Sequence, residues 1–248
     1  MKIDTSDLDV LWNSAPPANE AFDRASVAHL PEPVQRYLAH AIAPGTPLAS
    51  AVRLRMHGAI KLKRWRPFKA EQVIVRDRGM IWRANVKMAG MTIRGFDRFI
   101  DGAGAMRWKI CGLIPIIRAS GPDVTRSTAD RFAAETIWLP SMLCGSNVTW
   151  NGDDPLVAHA HFAVDGSAED LALTLSQGSL QSVALPRWGN PDGGRFREVS
   201  FGAVVEQEAT FDGYTIPARM RVGWYFGTDR FDTEGRFIHA TIDDATYR

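Results

Sequence analysis

The sequence predicts a mainly β protein: a curved antiparallel sheet, a half-barrel, covered by one central helix. Three observations carry this reading. Four Asx-Gly dipeptides, Asp101-Gly102, Asn151-Gly152, Asp165-Gly166 and Asp212-Gly213, sit between stretches of alternating apolar and polar residues. Asx-Gly accepts the positive φ angles of tight hairpin turns, and Gly79, Gly90, Gly178 and Gly235 stand in similar places. The alternating stretches outnumber what a flat sheet holds without curling. One mid-chain helix then favours a half-barrel with a covered concave face over a closed barrel.

The elements follow in order. Residues 1–29 are polar, with a Pro16-Pro17 break, and read as an arm with a possible short helix over Glu20–His29. Residues 30–248 read as a single domain, because no Pro/Ser-rich linker divides them. Val34, Tyr37, Leu38, Ala41 and Ile42 recur at helical spacing behind Pro31 and Pro33, which a first helical turn tolerates. In Ala51–Lys63, Val52, Leu54, Met56, Ile60 and Leu62 face one way and Arg53, Arg55, His57, Lys61 and Lys63 the other, as in a half-buried strand. Further strands are expected over Lys69–Arg76, Met80–Met88, Met91–Ile100, Ala105–Cys111 and Ile114–Ala119. Gly121-Pro122-Asp123 then breaks the pattern, and Asp123 can cap a helix over 123–138 that ends at Leu139-Pro140. Val124, Phe132 and Ile137 form its apolar stripe, and Arg126/Asp130 and Arg131/Glu135 stand four apart. Strands resume over Asn147–Trp150, Leu156–Val164, Ala168–Ser176, Leu180–Leu185, Phe196–Thr210, Ile216–Phe226 and Arg236–Thr246.

Composition narrows the function. The 248 residues are 45% hydrophobic, enough for a packed core, and a formal net charge of +1 argues against general nucleic-acid binding. The opening MKIDTSDLDV is acidic and lacks a long apolar run, so no signal peptide is expected, and no stretch reaches the ~20 apolar residues of a membrane span. The cytoplasm is the expected compartment, with Cys111 and Cys144 as free thiols, Cys111 buried and inert. The nucleophile elbow, the Ser-x-x-Lys pair, the phosphate loop, the dinucleotide fingerprint and the Cys-x-x-Cys spacing are all missing. No cofactor or metal is implied, and oligomeric state is not fixed.

The polar candidates are few. Arg131 and Glu135, if the helix covers the concave face, point inward as a ligand-orienting pair, or clamp helix to sheet. Asp97 and Asp101 alternate to one strand face and can act as paired carboxylates, although a turn-capping job is the simpler account of Asp101. His159 and His161 share a strand face without an identifiable third metal ligand, which leaves solvent-facing histidines as the simpler account. Residues 33–70 hold eight Lys or Arg and no Asp or Glu, a stripe that can attract an anionic head group, an acidic partner or a membrane surface, or simply be a solvated face. Among eight tryptophans, Trp82, Trp138 and Trp224 are the expected cavity lining, with Phe132 from the helix.

Several of these residues carry a resemblance. Leu30-Pro-Glu-Pro-Val-Gln-Arg-Tyr-Leu38, Trp65-Arg-Pro-Phe68, Trp82-Arg-Ala84, Gly121-Pro122 and Arg131-Phe-Ala-Ala-Glu-Thr-Ile-Trp-Leu-Pro140 resemble an uncharacterised family of bacterial proteins, from about Leu30 to Thr246. The resemblance implies a half-barrel of the LolA and LolB lipoprotein-carrier kind. It is also similar to VioE, a cofactor-independent biosynthetic enzyme on the same scaffold. It implies no established activity.

The expectation is therefore a module binding a hydrophobic small molecule or lipid-like chain in the concave cavity, with Arg131 and Glu135 orienting a polar end. The alternative is a cofactor-free isomerase, cyclase or lyase on an aromatic or terpenoid-like substrate, with Glu135, Arg131, Asp97 and Tyr37 as catalytic candidates. A third reading is a partner-binding protein that uses the basic stripe.

Overall fold

The computed structural model describes residues 5–88 and 90–248, and in it thirteen strands form one antiparallel sheet. The first meander is β1 (Ala51–Leu62), β2 (Arg64–Val75), β3 (Gly79–Met88), β4 (Met91–Ile100), β5 (Ala103–Ile110) and β6 (Ile114–Ser120). Helix α3 (Pro122–Ala134) follows. The second meander is β7 (Thr149–Asp154), β8 (Val157–Val164), β9 (Ser167–Ser176), β10 (Ser179–Gly189), β11 (Arg197–Phe211), β12 (Tyr214–Trp224) and β13 (Arg236–Tyr247). The first strand and the last pair side by side, from Val52 opposite Tyr247 to Ile60 opposite Ile238, and join the halves.

The chain thus starts in the middle of the sheet, walks out to β6, crosses by way of α3 to β7 at the far edge, and walks back. β6 and β7 are both free edges, so the sheet is not closed. It is strongly curved: α3 touches β4, β5 and β6 on one wing and β8, β9 and β10 on the other. A flat sheet cannot bring strands so far apart in order to one helix. The curved antiparallel half-barrel covered by a helix is the architecture the hairpin pattern predicts.

Three of the Asx-Gly pairs turn as expected, with φ of 46° and 73° at Asp101-Gly102, 49° and 79° at Asp165-Gly166, and 49° and 85° at Asp212-Gly213. Asn151-Gly152 does not; both residues lie inside β7, and the turn comes at Pro155-Leu156. A Cβ on Gly152 would come 2.7 Å from the Pro31 side chain, so close packing, not a turn, requires glycine there.

The N-terminal region departs from a loose arm. Residues 1–4 of that segment lie outside the described residues. Thr5–Asn13 form helix α1, and Leu8 and Leu11 cover Ala51, Val73, Val75 and Ile81 on the convex side. Over the segment expected to be a short helix only Arg24–Val27 turn, as a 3-10 helix capped by Asp23. Helix α2 (Glu32–Ala41) buries Val34, Tyr37, Leu38 and Ala41, the face its spacing predicts. The central helix is α-helical only to Ala134; Glu135–Trp138 and Pro140–Cys144 continue as two 3-10 turns that lead toward β7.

Candidate functional site

Between the concave face and α3 lies a cavity of about 410 Å³, within the range of small-molecule sites. Its walls are aromatic on both wings. Trp82 and Trp108 meet with ring centroids 5.7 Å apart on the first wing. Phe201 and Trp224 meet edge-on at 5.1 Å on the second. Two glycines seat these rings. A Cβ on Gly95 would fall 2.3 Å from the Trp108 ring, and one on Gly189 would fall 2.3 Å from the Trp224 ring. Each indole therefore lies against bare backbone, which sets how far it stands into the cavity.

The helix side of the cavity is polar. Arg131 Nη1 donates to Asp97 Oδ2 at 2.8 Å, and Arg131 Nε donates to Glu135 Oε1 at 2.8 Å. The other oxygens are also taken: Trp108 Nε1 donates to Asp97 Oδ1 at 2.9 Å, and Gln72 Nε2 donates to Glu135 Oε2 at 2.5 Å. The guanidinium also lies 5.0 Å from the Trp82 ring centroid. Burial alone would lower the Arg131 pKa, but the charges of Glu135 and Asp97 outweigh it and raise it. Every oxygen of both carboxylates has a committed donor, and the bonds run from α3 to β4 and from the following turn to β2. This is a helix-to-sheet clamp in the cavity wall.

Arg187 is different. It is buried on β10 and lines the same cavity. Its Nε donates to the Ser127 carbonyl at 3.1 Å and its Nη2 to the Ser127 hydroxyl at 3.4 Å. Its guanidinium carbon lies 4.5 Å from the Phe201 ring centroid and 4.9 Å from that of Trp224. Among the described residues it forms no ion pair; its hydrogen bonds go to neutral groups, and the charges of Asp130, Glu135 and Asp97 act on it only from farther off. Burial, and then the like charge of Arg131, pull its pKa down to about 10. The three carboxylates oppose this shift without closing an ion pair, so the guanidinium can still take an anion from the cavity.

The structure brings Trp82, Trp138, Trp224, Asp97, Arg131 and Glu135 to one cavity. It leaves out Phe132 and Tyr37. Phe132 is on the far side of α3, its ring 5.9 Å from Phe99 in the core. Tyr37 is buried on α2 away from the cavity, and burial, then Glu208 and Cys144, raise its hydroxyl pKa far above the ordinary range. Asp101 is in the β4–β5 turn, paired with Arg78. His159 and His161 face solvent and share Asp170, at 2.8 and 3.6 Å. No group of three or more His, Cys, Asp or Glu among the described residues is placed to hold a metal. Cys111, expected to be buried, is exposed at the β5–β6 turn; Cys144 is half-buried, its thiol pushed up to about 12 by burial.

Sequence reasoning missed Arg187 and Trp108. For Arg187 the signal was present: it shares the alternation phase of Val183, Leu185 and Gly189, so it is an arginine at an apolar-phase position. The strand is expected only over Leu180–Leu185, which stops short of it. In the structure Pro186 lies just past Ala184, the last β10 residue paired to β9, where its missing N–H costs no ladder bond on that side.

The model of a family described as a family of unknown function (DUF6920) matches residues 28–247. No curated protein matches the chain. Two crystal structures are similar, each at 9% sequence identity and a TM-score of 0.42. One is a domain described as an outer membrane lipoprotein-sorting protein from Vibrio parahaemolyticus, over 80% of this chain and 86% of that one. The other is a LolA superfamily protein from Nitrosomonas europaea, over 87% of this chain and 92% of that one.

Proposed function

The chain belongs to DUF6920, a family of unknown function, and we propose that it binds a small amphiphile, lipid-like or aromatic, with an apolar body and an anionic end. The supporting observation is the aromatic cavity with one buried, unpaired guanidinium in its wall. The apolar body would lie among Trp82, Trp138 and Trp224, where removal of apolar surface from water supplies roughly 25 cal/mol per Å². The anionic end would meet Arg187. Arg131, Asp97 and Glu135 satisfy one another and shape the wall.

Dansylaminoundecanoate and its methyl ester test this reading. The acid brightens on binding, is displaced by unlabelled fatty acid, and raises the melting temperature, as binding to the native state alone must. The ester binds more weakly. If neither probe binds, or if a Trp138→Ala variant binds both unchanged, the cavity is not the site.

A further inference from the structure

The cavity leads out to one end of the first meander, and that end has an unusual surface. The β1–β2, β3–β4 and β5–β6 turns all lie there, because antiparallel neighbours return alternate turns to the same edge. The three tips stand roughly 10 Å apart, at two strand spacings each. Segments 59–70, 85–94 and 107–118 make them, and those segments contain ten of the 29 Lys and Arg and none of the 28 Asp and Glu. Among the described residues, Lys61, Lys63, Arg64, Lys87, Lys109 and Arg118 take part in no ion pair. The rest of the basic stripe does: Arg53 bonds Asp9 and Glu71, and Arg55 lies 3.9 Å from Asp244. The connections nearest the cavity on the other wing are paired as well, Arg197 with Asp192 and Arg230 with Glu234.

The same tips are apolar. Nine large hydrophobic residues are exposed among the described residues, and seven stand here; only Val10 and Leu156 lie elsewhere. Leu113 is 79% exposed and Ile114 62%, at the tip of the free edge strand. Leu62, Trp65 and Met91 are on the two neighbouring tips, and Ile116 and Ile117 follow on β6. Leu62, Ile116 and Ile117 also line the cavity, so the apolar surface of the rim runs without a break into the interior. Isolated exposed apolar residues are ordinary, but a cluster ringed by unpaired cations is an interaction surface.

We propose that this rim docks the protein peripherally on an anionic lipid bilayer, with the cavity mouth facing the lipid. Charge selects the occupant. A second copy at a twofold interface would set these cations against themselves. A bilayer takes apolar tips into the headgroup boundary, accepts an indole such as Trp65 there, and attracts Lys and Arg to its surface potential. No helix among the described residues is long and apolar enough to cross a membrane, and the contact proposed needs none. The docking does not depend on what occupies the cavity; if the amphiphile reading is right, the rim is where such a ligand enters or leaves.

The test is co-sedimentation of the full chain with vesicles of phosphatidylcholine, with and without phosphatidylglycerol. The protein should pellet with anionic vesicles at low salt, less at high salt, and weakly with phosphatidylcholine alone. The Leu113→Asp/Ile114→Asp variant and the Lys61→Glu/Lys63→Glu/Arg64→Glu variant should each lose about tenfold in vesicle affinity. Both should keep the wild-type melting temperature and, without vesicles, the same affinity for dansylaminoundecanoate. Leu156→Asp, on the β7–β8 turn, should bind vesicles like wild type. Wild-type protein that stays in the supernatant with anionic vesicles overturns the proposal and leaves the rim as a site for an acidic protein; full vesicle binding by the Leu113/Ile114 variant overturns it too, because the apolar tips would then not enter the lipid. Vesicle binding without dansylaminoundecanoate binding would remove the cavity reading and leave the docking intact.

Discussion

Arg131 and Asp97, 34 positions apart in sequence, meet at 2.8 Å and tie the central helix to β4 across the cavity wall. Their side chains are only 13% and 11% exposed. Removing Arg131 leaves two buried carboxylates facing each other without a cation. Arg131→Ala should therefore cost about 3–5 kcal/mol in urea unfolding, with Glu135→Gln costing less because the Gln72 side remains occupied. A loss below about 1 kcal/mol for Arg131→Ala would mean that water, not the sheet, satisfies these groups.

Arg187 shares the wall with that clamp but has no carboxylate of its own. Arg187→Gln should weaken dansylaminoundecanoate roughly tenfold to a hundredfold, the value of hydrogen bonds to a charged group, and leave the methyl ester nearly unchanged. The pH dependence has a definite sign. A base pulled down to about 10 loses its proton as pH rises through that value, so the acid probe should bind progressively more weakly above pH 10 in wild type. The ester should show no such trend. Fluorescence titration of the two probes at pH 8 and pH 10.5 measures both effects, and equal losses for acid and ester would assign Arg187 a packing role.

Gly189 seats the Trp224 ring, whose atoms would lie 2.3 Å from an added Cβ. Gly189→Ala should push the indole into the cavity at a cost of about 1–3 kcal/mol, the usual price of overpacking. Affinity for both probes should drop together, because the volume lost is apolar. Unchanged affinity with unchanged stability would show that the ring moves out of the way freely.

How much of this was legible depends on the length scale of each signal. Hairpins are local, and three Asx-Gly pairs placed their turns within a residue. Asn151-Gly152 misled because its glycine answers a contact with Pro31, 121 positions away, which no window contains. Of the tryptophans expected to line the cavity, Trp82 and Trp224 stand on strands, where side-chain phase decides the face, whereas Trp138 belongs to the turn after α3, where no such phase applies. Periodicity could not place Phe132, because a helix covered on several sides buries residues that face away from the cavity. Arg187 was visible as a phase violation but lay beyond the expected strand Leu180–Leu185; β10 runs on through Pro186 because its pairing with β9 has by then ended at Ala184. The basic stripe read as one feature and is two: the part at Arg53 and Arg55 is neutralised by Asp9, Glu71 and Asp244, partners that only the fold supplies.

Two adjacent buried acids outside the cavity, Glu169 and Asp130, link the stability of the fold to pH. Glu169 on β9 is 6% exposed beside Asp130 of α3; burial, and then the Asp130 charge, push its carboxyl up to about 8, with Arg126 opposing. In the unfolded chain a glutamate titrates near pH 4.3. Between roughly pH 4.3 and 8 the native state keeps a proton that the unfolded chain has released, so stability must fall as pH rises through this window. Below it both states are protonated and the contribution is flat. Glu169→Gln removes the ionisation and keeps the size. The variant should match wild type near pH 4 and gain steadily on it up to about pH 8.5, with roughly 2–4 °C in melting temperature for each kcal/mol recovered. Melting curves of both proteins from pH 4 to 9 decide the matter: parallel profiles would mean that Glu169 is already ionised in the native state at neutral pH, with Arg126 close enough to hold the charge.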